Sequence, residues 1–273
     1  MTPQMTHTTH PQTKMLRGLQ LAALLCFLAS CSPKPESSSG SPTKKPAPVG
    51  TTSCKTDLPA GSNLKLLCNP SGDDIHILYD EQRRIPRAVS ERLQRSQLGG
   101  NIKRTDEFQE DPRLPHGATL NDYRRSGYDR GHLAPAADFK NNESDMQRSF
   151  LLSNIAPQNS GLNRNAWAGL EDATRECAAS LGELHVVTGT IPSNLKIKGR
   201  VSVPSAFFKA WSNGREVRAW IMPNIGTDTP IRKLNGAEYA RYAVSPETLR
   251  ERTGLNLFPG SVQGKFCKNV ISL

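Results

Sequence analysis

Cysteine and histidine are both scarce, at six each in 273 residues. No two cysteines stand at CxxC spacing, which excludes the common cysteine-built metal sites. No internal repeat is visible, and no apolar run is long enough to cross a membrane as a helix. Acidic residues are also in deficit, 25 against 35 Lys and Arg. Basic charge favours a polyanionic partner but does not identify one, since anionic lipid would be served equally well.

The strongest apolar run, LQLAALLCFLA, lies near the start behind Lys14 and Arg17 and ahead of small residues and Cys31. That order of positive flank, short apolar centre and small residues predicts a secretory signal over residues 1–30. The tetrapeptide LASC, ending at Cys31, resembles a lipobox, so Cys31 is the expected lipidation site and a lipid anchor to the membrane the expected partner. Ser32 after the cysteine favours the outer membrane, facing the periplasm or the cell surface. Residues 31–53 are Ser, Pro, Gly and Lys with almost nothing apolar, a tether that cannot offset its own ordering entropy. Residues 54–273 suffice for one domain with a hydrophobic core. Cys54, Cys68, Cys177 and Cys267 form an even set in an exported domain, so disulfides are expected. The preferred pairing is Cys54–Cys68 with Cys177–Cys267, because the first closes a short local loop.

Along the domain, DIHILYDEQRRIPRAVSERL alternates and predicts a hairpin turning at DEQ. The segment from Asn101 to Gly127 is full of Pro and Gly signals and reads as a long loop. A short helix is predicted over 141–150, then a strand in FLLSNIAPQ. In LNRNAWAGLEDATRECAASLG, Leu162, Ala166, Leu170, Ala173 and Cys177 recur at helical spacing and Gly182 supplies the stop. Trp167 falls on the core side of that helix. LHVVTGTI, VPSAFFKAW and REVRAWIMP read as strands, and SPETLRERTG as a capped helix. There is no βαβα rhythm, so the fold class is α+β with a mostly antiparallel sheet.

The chemistry concentrates in YDRGHLAP, residues 128–135. In an extended segment Arg130 and His132 point to one side and Asp129 to the other, where it can anchor the segment from behind. Arg130 can grip a phosphate oxygen with two donors, and a neutral His132 can accept a proton from water. Gly131 between them leaves room for a substrate backbone. On the predicted helix, Asn163 and Glu171 are eight residues apart, which in a regular helix places them roughly 80° apart in azimuth and about 12 Å apart along the axis. One can ligate an ion directly while the other reaches only its water, an arrangement suited to a hard cation such as Mg²⁺. Asn154 can brace the site or hold a turn.

The blocks DRGHLAPAAD, FLLSNIAPQ and LNRNAWAGLE, in this order and spacing, resemble the DNA/RNA non-specific endonuclease family, the Serratia-type nucleases with a ββα-metal site. The resemblance is dense over 128–171 and looser over 75–189. It implies an exported endonuclease that hydrolyses phosphodiester bonds of DNA and RNA with little sequence preference, needs Mg²⁺ (Mn²⁺ as a substitute), and leaves 5′-phosphate ends. It implies His132 as general base, Asn163 as the direct metal ligand, Glu171 acting on the metal through water, Asn154 in support and Arg130 at the phosphate. An upstream arginine assists catalysis in that family; Arg104 is the first candidate, with Arg124 or Arg125 as alternatives and as substrate-binding residues. A catalytically weak nucleic-acid-binding or DNA-uptake module on the same fold is the competing reading, and homodimerisation is left open.

Overall fold

The computed structural model describes residue 56 and residues 58–59, 63–68 and 75–271. The expected leader over 1–30, Cys31, the expected tether over 31–53 and Cys54 lie outside the described residues. Strand β1 (Lys65–Leu67) pairs with β2 (Ile75–Asp80), and a turn at 81–84 returns the chain as β3 (Ile85–Gln94). A long irregular stretch follows, interrupted by the one-turn helix α1 (Leu120–Tyr123). Strand β4 (Asp129–His132) and β5 (Ile155–Gln158) form a separate antiparallel ribbon, with α2 (Glu143–Ser149) between them in sequence. A π-helical turn over Leu162–Trp167 leads into α3 (Ala168–Leu181). Gly182 stops that helix at φ 95°, a backbone angle that costs glycine little.

The remainder is mostly sheet: β6 (Glu183–Ile191), a small hairpin of β7 (Lys196–Ile197) and β8 (Val201–Ser202), then β9 (Ala206–Ser212), β10 (Glu216–Pro223) and β11 (Ala243–Val244). Helix α4 (Pro246–Thr253) and β12 (Val262–Gln263) complete it. The large sheet has the order β1-β2-β3-β6-β9-β10-β11, antiparallel throughout, with β12 added parallel to β10. The expected hairpin, strands and helices are all present. FLLSNIAPQ differs in that only Ile155–Gln158 is strand, preceded by a 3-10 turn over Leu152–Asn154.

Period-two alternation gives the sheet two apolar faces. Ile77, Tyr79, Val186, Phe207, Trp211 and Trp220 face the larger core, which α3 and the β4–β5 ribbon cover. Leu78, Val187, Phe208, Ala210 and Ala219 face the smaller one, which Leu249 of α4 enters. Trp167 is fully buried, as its spacing predicts. The disulfide between Cys177 and Cys267 forms as expected, with Cα atoms 5.6 Å apart, and ties α3 to the C-terminal segment. Cys68 is disulfide-bonded as well, while its expected partner Cys54 is among the residues not described. Arg218, fully buried beside the Trp211 and Trp220 rings, donates to the carbonyls of Phe266, Cys267 and Ile271 and holds that segment down.

Where α3 meets the sheet, the larger core contains charge. Asp138, 2% exposed in the turn that follows β4, accepts a 2.7 Å bond from Arg175 of α3. Lys209 of β9 is buried beside the Trp167 ring and donates to Thr188 at 2.5 Å. Glu91 of β3 is 3% exposed, and neither of its oxygens has a donor among the described residues. Its polar neighbour is the carboxyl of Asp138, a contact that becomes a hydrogen bond only when one of the two carries a proton. Burial drives the Glu91 carboxyl far up, and nearby Asp138 drives it further, so Glu91 is the protonated partner and donates. Arg175→Ala leaves Asp138 buried without its cation and should lower stability by about 3–5 kcal/mol. Glu91→Gln keeps a neutral donor of the same shape and should cost less than about 1 kcal/mol. Denaturant titration of both variants checks this; a clear gain in stability from Glu91→Gln would mean Glu91 is ionised.

Candidate active site

The β4–β5 ribbon sets the frame. Its register pairs His132 with Ile155 and Asp129 with Gln158. Asn154 accepts a 3.0 Å bond from the Ala134 amide and donates to the carbonyls of Ala134 and Ser149, both at 2.8 Å. Every polar atom of its side chain is thus engaged with backbone. Asn154 braces the chain just past His132, the first of the two parts its position allowed, and acts on the site through backbone. Gly131 also differs from expectation. A Cβ there would lie 2.2 Å from Oε1 of Gln158, so the space beside the glycine is filled by that buried side chain and is closed to substrate.

His132 is 7% exposed, in an aromatic chamber. The Phe150 ring meets it edge-on at 5.0 Å and Phe108 stands at 5.3 Å. Its Nε2 is buried without a hydrogen-bond partner among the described residues. Burial lowers its pKa to about 3, and the Arg104 and Arg130 guanidinium groups add to the shift while Asp106 opposes it. The imidazole is therefore neutral at physiological pH, the form that can take a proton; an anionic phosphate arriving beside it would raise its basicity. Arg130 lies over Phe108 at 4.2 Å, so it shares a side with His132 as strand alternation requires. Arg104 lies over Phe150 at 5.0 Å and pairs with Asp106 at 2.5 Å. Among the upstream arginines, Arg104 is the one whose charge reaches His132.

Beside this chamber opens a cleft of about 830 Å³, lined by Phe108, Tyr128, Arg124, Arg125, Arg130 and Asn163 among others. Asn163 donates from Nδ2 to Asp129 at 2.9 Å, and Arg164 clamps the same carboxylate with bonds of 2.9 and 2.8 Å. Asp129 thus ties the strand to the start of the helix rather than bracing the strand from behind. Burial pushes its pKa up, but the bonds from Arg164 and Asn163 prevail and hold it below the ordinary range. With Nδ2 committed, the Asn163 Oδ1 keeps no hydrogen-bond partner among the described residues and can serve a cation. The segment bearing Asn163 is a π-helical turn, so the azimuth worked out for a regular helix does not apply between Asn163 and Glu171.

Glu171 is half-buried on α3 and is not among the residues lining the cleft. Burial raises its carboxyl to about 7; Lys209 and Arg175 pull it down, and Asp138 pushes it up. Asn163 and Glu171 offer oxygen alone, the chemistry a hard cation takes. Among the described residues no group of three or more His, Cys, Asp and Glu could hold a metal. An ion here would depend on Asn163, on water and on substrate oxygens. Sequence reasoning missed the residues that support this site, Phe108, Phe150, Glu91, Asp138, Arg175 and Lys209. Only Arg175 left a signal, four positions after Glu171 on the same helix.

Comparison with known proteins matches this geometry to one family. The family model described as DNA/RNA non-specific endonuclease matches residues 50–263. Mitochondrial endonuclease G of Homo sapiens is 34% identical over 226 residues, covering 75% of this chain and 72% of that protein. A nuclease of Nostoc sp. is 34% identical over 199 residues, covering 70% and 72%. The solved EndoG/EndoGI complex superposes with a TM-score of 0.61 at 28% identity, covering 74% of this chain and 91% of that one. Antiparallel sheet, β4–β5 ribbon and the helix begun at Leu162 together fit the ββα-metal architecture, and the chain belongs to the DNA/RNA non-specific endonuclease family.

Proposed function

We propose that the protein is a Mg²⁺-dependent endonuclease that hydrolyses phosphodiester bonds of DNA and RNA with little sequence preference and leaves 5′-phosphate ends. One observation carries this reading: a neutral, buried His132 flanked by Arg104 and Arg130, beside a cleft into which Asp129 turns the Asn163 carboxamide. His132 accepts the proton of the attacking water. Arg130 and Arg104 offset charge on the phosphoryl oxygens, which is where the transition state gains it. Asn163 Oδ1 would hold the cation directly, and Glu171 would act on it through water. The bound ion, Mg²⁺ or Mn²⁺ in its place, supplies further positive charge at the phosphate and at the leaving oxygen. Arg124 and Arg125 on the cleft wall grip backbone, and contacts of that kind carry no sequence information.

His132→Ala should lower cleavage of plasmid DNA and of RNA by about 10²–10⁴-fold, measured below the variant's melting temperature with its fold checked by circular dichroism. Chelation should abolish cleavage by the unaltered protein, and the released ends should be ligatable 5′-phosphates. Full activity in the variant, or activity in EDTA, contradicts the assignment. Asp129→Ala should raise the metal concentration for half-maximal rate by about 10–100-fold, because Asn163 loses the partner that orients it.

Glu171 gives a separate expectation about pH. Its raised folded-state pKa means that the metal-free protein holds a proton there below about neutrality and gives up the associated stability as pH rises through about 7. Binding of Mg²⁺ near pH 7 should expel this proton. Calorimetry in two buffers of different ionisation enthalpy reads the release, and Glu171→Gln should remove it.

The leader supports export, with Cys31 as the lipidated residue and the outer membrane as destination. Labelled palmitate should enter the protein in cells and be lost in Cys31→Ser; unchanged labelling would contradict this.

A further inference from the structure

The β7–β8 hairpin (Lys196–Ile197 and Val201–Ser202) is basic and is not part of the site described above. Lys196, Lys198 and Arg200 are all exposed. No Asp or Glu occurs between Glu183 and Glu216, so the hairpin carries no carboxylate of its own. Its position is set by hydrogen bonds. Lys198 donates to the carbonyl of Asn121, and Arg200 reaches Asp122 at 3.1 Å, both in α1. Asp122 is buried and caps its own helix, so Arg200 compensates the one carboxylate the hairpin touches. On the opposite side, the Ser202 amide donates to the Arg83 carbonyl at 2.9 Å.

Continuity gives this patch its meaning. Leu120 and Tyr123 of α1 line the cleft, and so do Arg124 and Arg125, which follow directly. The hairpin cations are bonded to the residues between them. The arginines of the cleft wall, Arg124 and Arg125, are thus joined through Asn121 and Asp122 to the hairpin that bears Lys196 and Lys198. We propose that the β7–β8 hairpin is a secondary binding site for the nucleic-acid backbone, taking phosphates several nucleotides from the scissile bond. The proposal rests on the nuclease reading and extends it from one phosphate to a polymer. Such a track contributes through counterion release and reads no bases. It makes the enzyme favour long substrates over short ones at equal chemistry.

The test compares the full-length protein with Lys196→Gln, the Lys196→Gln/Lys198→Gln pair and Lys196→Arg, on a 40-base-pair duplex and on a four-nucleotide DNA. For the duplex, each lost lysine contact should raise KM about fivefold at 0.15 M salt and lower the log–log salt slope by about 0.9. Rates on the short DNA should not change, and Lys196→Arg should restore the duplex KM. Unchanged duplex KM and slope overturn the proposal, as does an equal loss on both substrates, which would make the hairpin a purely structural element. Loss of binding to phosphatidylglycerol vesicles with duplex KM intact would assign the patch to lipid and overturn it too. If the unaltered protein cleaves neither DNA, the nuclease reading itself fails, an outcome separate from these.

Discussion

The ion pair between Arg175 and Asp138 joins the two halves of the site. Asp138 stands six residues after His132, and Arg175 four after Glu171. Their 2.7 Å bond therefore fixes the segment carrying His132 against the helix carrying Glu171. It is buried, so water does not screen it, and it is strong only while every neighbouring charge is balanced. That demand explains the rest of the interior cluster. Lys209 faces Glu171 and Asp138 from the sheet, and Glu91 stays protonated because another buried anion would be uncompensated. A charge network inside an apolar core sets the separation of helix and ribbon more sharply than greasy contacts alone would.

The same economy shapes the reactive groups. Phe108 and Phe150 bury the flanks of His132 and at the same time carry Arg130 and Arg104 on their faces. One pair of rings thus keeps the imidazole neutral and aims two fixed cations at whatever anion it meets. On the neighbouring wall Asp129 plays a similar double part. It takes the Asn163 amide and the Arg164 guanidinium together, so one carboxylate decides which atom of Asn163 faces the cleft.

Much of this was legible in the residue order. Periodicity located the strands, the α3 helix and the buried Trp167, and the preference for a short Cys54–Cys68 loop left Cys177 to Cys267, because each depends on local spacing or on a small set of partners. Alternation put Arg130 with His132 for the same reason. Asn154, Gly131 and Asp129 were harder. Each can do several things locally, and which one it does depends on a segment distant in sequence: Ala134 for Asn154, Gln158 for Gly131, Asn163 and Arg164 for Asp129. The π-helical turn at Leu162–Trp167 likewise left no mark in the apolar spacing, since it shifts the helix phase by a single residue.

By itself the sequence determined the family, the α+β class and which residues, His132, Asn163 and the basic flank, are the candidates for the site, because these are matters of residue type at short range. Tertiary structure decided which upstream arginine is close enough for its charge to reach His132, that Glu91 is neutral, and that Asn154 is a brace. Those outcomes follow from burial and from distances between segments far apart in the chain, and Coulomb and desolvation energies depend on distance and surroundings rather than on sequence neighbours.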